Sequence, residues 1–122
     1  MNKLALIVED SPDTAEIFDA ALTTAGYTTE IINDGQIAIN RLDEIEPYLI
    51  LLDLHLPNVP GDKILDYIIK QDHLKNVRVI IASADGQLAD FQGHKNKDQL
   101  MIMQKPVSFD QLTLISKRLL QA

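Results

Sequence analysis

Apolar positions in this chain follow two alternating patterns from one end to the other. Short continuous runs, such as Leu4-Ala5-Leu6-Ile7-Val8, Leu49-Ile50-Leu51-Leu52 and Val79-Ile80-Ile81-Ala82, are separated by segments whose apolar residues recur every three or four positions. Continuous runs of this length fit strands buried on both faces, as in parallel sheets, and the wider spacing fits one face of a helix. The pattern predicts strands over Leu4–Val8, Thr28–Ile32, Leu49–Asp53, Val77–Ala82 and Leu100–Met103. Thr28–Ile32 is more polar than the others and is expected at a sheet edge.

The first helix is predicted from Asp13 to Ala25, with Ile17, Phe18, Ala21, Leu22 and Ala25 facing inward and Gly26 as the stop. The second runs from Gly35 to Ile45 behind an Asp34 N-cap; Ile37, Ala38, Leu42 and Ile45 form its buried stripe, and Pro47 blocks continuation. A third follows Gly61, burying Ile64, Leu65, Ile68 and Ile69. The last opens on a capping-box pattern, Ser108-Phe109-Asp110-Gln111, and closes with Lys117-Arg118, a favourable pair for the helix dipole. Between the last two strands, Asp85–Asp98 has only Leu88, Ala89 and Phe91 as apolar anchors and fits a short or frayed helix.

Five βα units in a row favour an open, doubly wound α/β sandwich of three layers. Five strands are too few for a closed eight-stranded barrel. The expected parallel strand order is 2-1-3-4-5, which reverses between strands one and three, and ligands of such sheets bind at the carboxyl ends beside that reversal.

Composition narrows the setting. A length of 122 residues argues for one domain over 1–122. The chain has no cysteine, which excludes disulfides and thiolate metal sites. No apolar stretch approaches the ~18 residues of a membrane span, and the N-terminus lacks a signal-peptide cleavage pattern, so a cytoplasmic protein without membrane attachment is expected. A net charge of −7 disfavours direct binding to nucleic acid or an anionic membrane. The densest basic patch, His94-Lys95-Asn96-Lys97, fits a solvated loop or helix end better than a phosphate site.

Five chemistry-bearing residues fall at strand carboxyl ends: Glu9 and Asp10 after the first, Asp53 at the third, Ser83 after the fourth and Lys105 after the fifth. Each has an ordinary alternative, Asp10 and Ser83 as helix caps and Lys105 as a solvated strand-end charge. Asp53 is harder to assign that way, because its apolar run points to a buried strand and ionised Asp is rarely buried without a partner. Three clustered carboxylates repel one another unless a hard cation is present, and Mg²⁺ suits an all-oxygen site. Such a set points to phosphoryl transfer onto a carboxylate. Asp53 would form an acyl phosphate, Lys105 would neutralise phosphoryl charge, and the Ser83 hydroxyl would hydrogen-bond a phosphoryl oxygen.

In order along the chain, Val8-Glu9-Asp10-Ser11-Pro12, Asp34-Gly35, Leu51-Leu52-Asp53-Leu54-His55-Leu56-Pro57, Gly61, Ser83-Ala84 and Lys105-Pro106 resemble the response-regulator receiver domain, the CheY-like module of two-component signalling. The resemblance covers essentially the full length and implies a flavodoxin-like fold. It implies a signalling switch, not an enzyme in the usual sense, that assists its own phosphorylation and dephosphorylation. Asp53 would accept phosphate from a histidine kinase or a histidine phosphotransfer protein. Asp10 and Asp53 would bind Mg²⁺ directly, Glu9 through water, and the His55 backbone carbonyl would be a further ligand. The Lys105–Pro106 bond would be cis. Phosphorylation would switch contacts with a downstream protein target. No residues follow the last helix for an output domain, so the chain is expected to work alone or as the receiver of a longer protein.

Two departures accompany the resemblance. Ile102 stands where receivers carry an aromatic switch residue; a β-branched side chain cannot swing as a ring does, and simple core packing is its other reading. His55 and Asp85 occupy positions that tune aspartyl-phosphate lifetime, either paired across the site entrance or as two independent solvated side chains. Two other classes compete. A receiver-like interaction module that is never phosphorylated typically lacks an acid or the lysine, and all five positions are filled here. A haloacid-dehalogenase-type hydrolase carries Asp-x-Asp, and here the second position is His55.

Overall fold

The computed structural model describes residues 3–83 and 99–121. Its elements are β1 (Lys3–Val8), α1 (Pro12–Ala25), β2 (Tyr27–Ile32), α2 (Gly35–Leu42), β3 (Leu49–Asp53), α3 (Gly61–Lys70), a 3₁₀ turn (Asp72–Leu74), β4 (Arg78–Ser83), β5 (Leu100–Gln104) and α4 (Phe109–Gln121). The strands form one parallel sheet in the order β2-β1-β3-β4-β5. This is the doubly wound α/β fold that the alternating pattern implies, with β2 at an edge as its polarity suggests. The helix expected over Asp85–Asp98 lies outside the described residues.

The continuous apolar runs are explained by two separate cores. Leu6, Val8, Ile50, Leu52, Val79 and Ile81 point to one face, where Ala38 and Leu42 of α2 and Ile64, Leu65 and Ile68 of α3 cover them. Ala5, Ile7, Leu49, Leu51, Ile80 and Ala82 point to the other, under Phe18 and Leu22 of α1 and Leu112 of α4. Successive strand residues alternate between faces, so a strand covered on both sides must be apolar throughout.

Local chemistry sets the helix ends. Ser11 caps α1 by accepting the Thr14 N–H (3.4 Å), Pro12 sits at its first position, and Gly26 ends it in the left-handed conformation (φ 113°). Asp34 caps α2 as expected, accepting the Ile37 N–H at 3.0 Å. Ser108 caps α4 through the Gln111 N–H at 3.3 Å. Tyr27 and Tyr48 pin α4 to the sheet by donating to the carbonyls of Ser116 and Leu119.

Three expectations are corrected. The second helix stops at Leu42, not Ile45: the Glu44 N–H donates to the Arg41 carbonyl in a 3₁₀-type turn, and His73 Nε2 meets the Leu42 carbonyl at 2.8 Å. Ile17 and Ile37 are about half exposed, not buried. In α1 the buried positions are Ala15, Phe18, Ala21, Leu22 and Ala25, which leaves Ile17 rotated off the stripe. In α2 the buried positions are Gly35, Ala38 and Leu42, and Ile37 lies one residue outside them.

Candidate functional site

The ends of the two central strands bring the acids together. Val8 pairs with Leu52 in the β1–β3 register, so Glu9 and Asp53 emerge side by side. Carboxylate oxygens of Glu9, Asp10 and Asp53 lie within 4.8 Å of one another. Glu9 is 1% exposed and Asp53 2%, while Asp10 is open to solvent. The cap of α1 is Ser11, which leaves the Asp10 carboxylate available to the cluster.

Lys105, just past β5, reaches into the cluster. Its Nζ lies 3.1 Å from Glu9 Oε1 and 3.3 Å from Asp53 Oδ1. Lys105–Pro106 is a cis bond, as expected. Backbone donors complete the pairing: the Ser11 N–H donates to Glu9 Oε2 (3.2 Å) and the His55 N–H to Asp53 Oδ1 (3.1 Å). Close approach holds the acid in place from behind. A Cβ on Gly61 would lie 2.6 Å from the Asp53 carbonyl oxygen and from Leu54 Cα, so only glycine lets α3 begin there.

One ammonium does not neutralise three carboxylates. Burial, reinforced by the neighbouring Asp53 carboxylate, pushes the Glu9 carboxyl up to about 7, against the lowering effect of the Ser11 N–H and Lys105. Burial pulls the Lys105 amine down, but Glu9 and Asp53 together outweigh it and its pKa is raised. The surplus negative charge, the all-oxygen donors and the solvent-facing Asp10 fit a hard divalent cation that retains water.

Ser83 closes β4 one residue beyond Ala82, the partner of Asp53 across the β3–β4 register. The Ser83 side chain and Asp85 lie outside the described residues, and with them the expected hydroxyl contact and the His55–Asp85 pair. The His55 side chain is exposed. Ile102 is partly buried, pairs with Ile81 and packs against the core beneath α2 and α3. An open concavity of about 390 Å³ borders the site on the α1 side, lined by Thr14, Ile17, Phe18, Lys105, Pro106 and Val107. Sequence reasoning missed the hydrogen bond from Asn58 Nδ2 to Asp34 Oδ1. Pro57 and Asn58 are turn-forming residue types that could have signalled a bend, but not the partner of the Asn58 amide. Among the described residues, no helix is long and apolar enough to cross a membrane.

The family model described as "Response regulator receiver domain" matches residues 5–117. Sporulation initiation phosphotransferase F of Bacillus subtilis is 31% identical over 112 residues, 92% of this chain and 89% of that protein. The DNA-binding response regulator MtrA of Mycolicibacterium smegmatis is 39% identical over 61 residues, half of this chain and 27% of its own length. Among solved structures, the receiver domain of a signal transduction histidine kinase from Syntrophus aciditrophicus superposes with a TM-score of 0.83 at 29% identity, covering 98% of this chain and 90% of that one. The receiver domain of sensor histidine kinase PA1611 from Pseudomonas aeruginosa, solved with magnesium in its active-site cleft, gives 0.81 at 24% identity over the whole of both chains.

Proposed function

Because the chain belongs to the response regulator receiver domain family, we propose that it is a phosphorylatable switch, with Asp53 accepting a phosphoryl group from a histidine kinase or a histidine phosphotransfer protein. Residues 1–122 act as one receiver unit in the cytoplasm, and the phosphorylated form changes its contacts with a protein target, not with nucleic acid or membrane. One observation carries the proposal: a carboxylate buried at the tip of the central strand, within reach of an ammonium and beside two further acids.

In this mechanism an Asp53 carboxylate oxygen attacks phosphorus while the P–N bond to the donor imidazole breaks, and the electron pair leaves with the ring nitrogen. The product is an acyl phosphate. Lys105 holds Asp53 before the reaction and stabilises the added phosphoryl charge after it. The His55 N–H orients the carboxylate. Asp10, Asp53 and the His55 carbonyl would hold Mg²⁺, with Glu9 acting through water. The ion would supply charge neutralisation for the incoming phosphoryl oxygens. Ser83 would donate its hydroxyl to a phosphoryl oxygen. His55 and Asp85, at the entrance, would tune hydrolysis, and Ile102 would leave the readout of phosphorylation to elements other than a ring swing.

The test is Mg²⁺-dependent labelling with acetyl phosphate, followed by mapping of the label. Label is expected on Asp53, and Asp53→Asn is expected to abolish it. Full labelling of Asp53→Asn overturns the mechanism. No label on the unmodified chain, with no site closure by fluoroberyllate, supports the pseudo-receiver interaction module instead.

A further inference from the structure

The loop that leaves the phosphoacceptor, residues 54–60, is fastened at both its base and its tip. At the base, the Gly61 N–H donates to the Leu54 carbonyl at 3.1 Å, and the His55 N–H donates to Asp53 Oδ1 at 3.1 Å. At the tip, Asn58 adopts a positive φ of 68°, which Asn and Asp tolerate far better than most residues. The next N–H, that of Val59, closes back on the Pro57 carbonyl at 2.8 Å.

From this bend Asn58 Nδ2 donates to Asp34 Oδ1. The other oxygen of the same carboxylate, Oδ2, accepts the Ile37 N–H and caps α2. One side chain thus starts a helix and grips a loop 24 residues away. Both hydrogen bonds hold the Asp34 carboxyl below the usual carboxylate range, the Ile37 N–H contributing most and Asn58 next. The adjacent residues interlock independently. Gly35 lies against Val59, where an added Cβ would meet the Val59 carbonyl oxygen and come within 2.8 Å of its Cβ. Asn58 and its hydrogen bond are exposed, so the bond satisfies no buried group and adds little to global stability. Its effect is to fix where the loop sits.

We propose that Asn58 is a positioning residue: by clasping Asp34 it locks the loop tip onto α2 and so orients His55, whose N–H engages Asp53 and whose carbonyl is the backbone Mg²⁺ ligand proposed above. This inference rests on the phosphoacceptor reading above, and it assigns to the Asp34–Asn58 pair control of divalent-cation affinity. Supporting contacts of this kind commonly change metal affinity by about tenfold when removed.

Three variants of the full chain test the clasp, with Mg²⁺ affinity measured by isothermal titration calorimetry. Asn58→Gly removes the amide while accepting the positive φ. Asn58→Asp sets two carboxylates against each other, and its extra negative charge would by itself tighten cation binding. The double variant Asp34→Asn with Asn58→Asp exchanges donor and acceptor, keeps a helix cap and restores the net charge.

Asn58→Gly is expected to weaken Mg²⁺ binding about tenfold, Asn58→Asp to weaken it by a smaller factor because its added charge works the other way, and the double variant to recover the original affinity within about twofold. In acetyl phosphate labelling, the Mg²⁺ concentration giving half-maximal rate should shift by the same factor, with the rate at saturating Mg²⁺ unchanged. Unaltered affinity in both single variants overturns the clasp, as does a double variant that fails to recover. An unmodified chain that neither binds Mg²⁺ nor takes label overturns the phosphoacceptor reading and the clasp with it. Binding that is normal and indifferent to Asn58 overturns the clasp alone.

Discussion

Asp53 combines burial with a charge shared among too few partners, and residues of that kind trade stability for function. Asp53→Asn removes one of three crowded carboxylates while leaving Lys105 paired with Glu9 at 3.1 Å. The variant is therefore expected to be more stable than the parent without Mg²⁺, by on the order of 1 kcal/mol, in urea denaturation at neutral pH. A less stable variant would show that the Lys105 and His55 contacts to Asp53 outweigh the repulsion. At this scale the acids were legible because an apolar run ending in a carboxylate has few other uses. The reach of Lys105 to both Glu9 and Asp53 was not, since it depends on how the β5–α4 connection lies over the sheet. The exposure of Ile17 and Ile37 was missed for a related reason: helical spacing identifies a stripe, but not which neighbouring residue falls just off its edge.

Elements position the site more than the site residues themselves do. The start of α3 is pressed against the end of β3 so closely that Gly61 has no room for a side chain. Gly61→Ala is expected to push the Asp53–Leu54 backbone away, lowering stability by roughly 1–3 kcal/mol and slowing acetyl phosphate labelling. Wild-type rates and a wild-type denaturation midpoint would show that the helix can shift without moving Asp53. All five strands were read within one residue at each end, most directly the near-continuous apolar runs, because a strand covered on both faces must be apolar throughout. The end of α2 was not, since its stop depends on a 3₁₀ turn and on His73 arriving from a later segment, neither of which leaves a periodic signal.

Across the whole molecule, site charge and folding are linked. The Glu9 carboxyl stands at about 7 in the fold against an ordinary 4.5, so the native state holds this proton more tightly than the unfolded chain does. The stability contributed by protonated Glu9 is full below the unfolded value and is lost as pH rises through the folded one. The metal-free protein is thus expected to lose roughly 2 kcal/mol between pH about 5 and about 8, measured as a falling denaturation midpoint. Glu9→Gln should flatten that slope relative to the parent. In the proposed metal site the ion would favour the ionised acids, so saturating Mg²⁺ should flatten the slope too. A slope that survives in Glu9→Gln would show that Glu9 is not its source.

The two halves of the site also differ in how the sheet holds them. Asp53 ends the central strand, hydrogen-bonded to β1 on one side and β4 on the other, with all five β3 residues buried. Lys105 hangs from β5, an edge strand whose residues are mostly half-buried or exposed. Edge elements open in local fluctuations that cost far less than global unfolding, whereas a strand paired on both sides opens only with the whole domain. The Lys105 ammonium is therefore expected to leave and return within the lifetime of one folded molecule, while the Asp53 carboxylate it pairs with stays where it is.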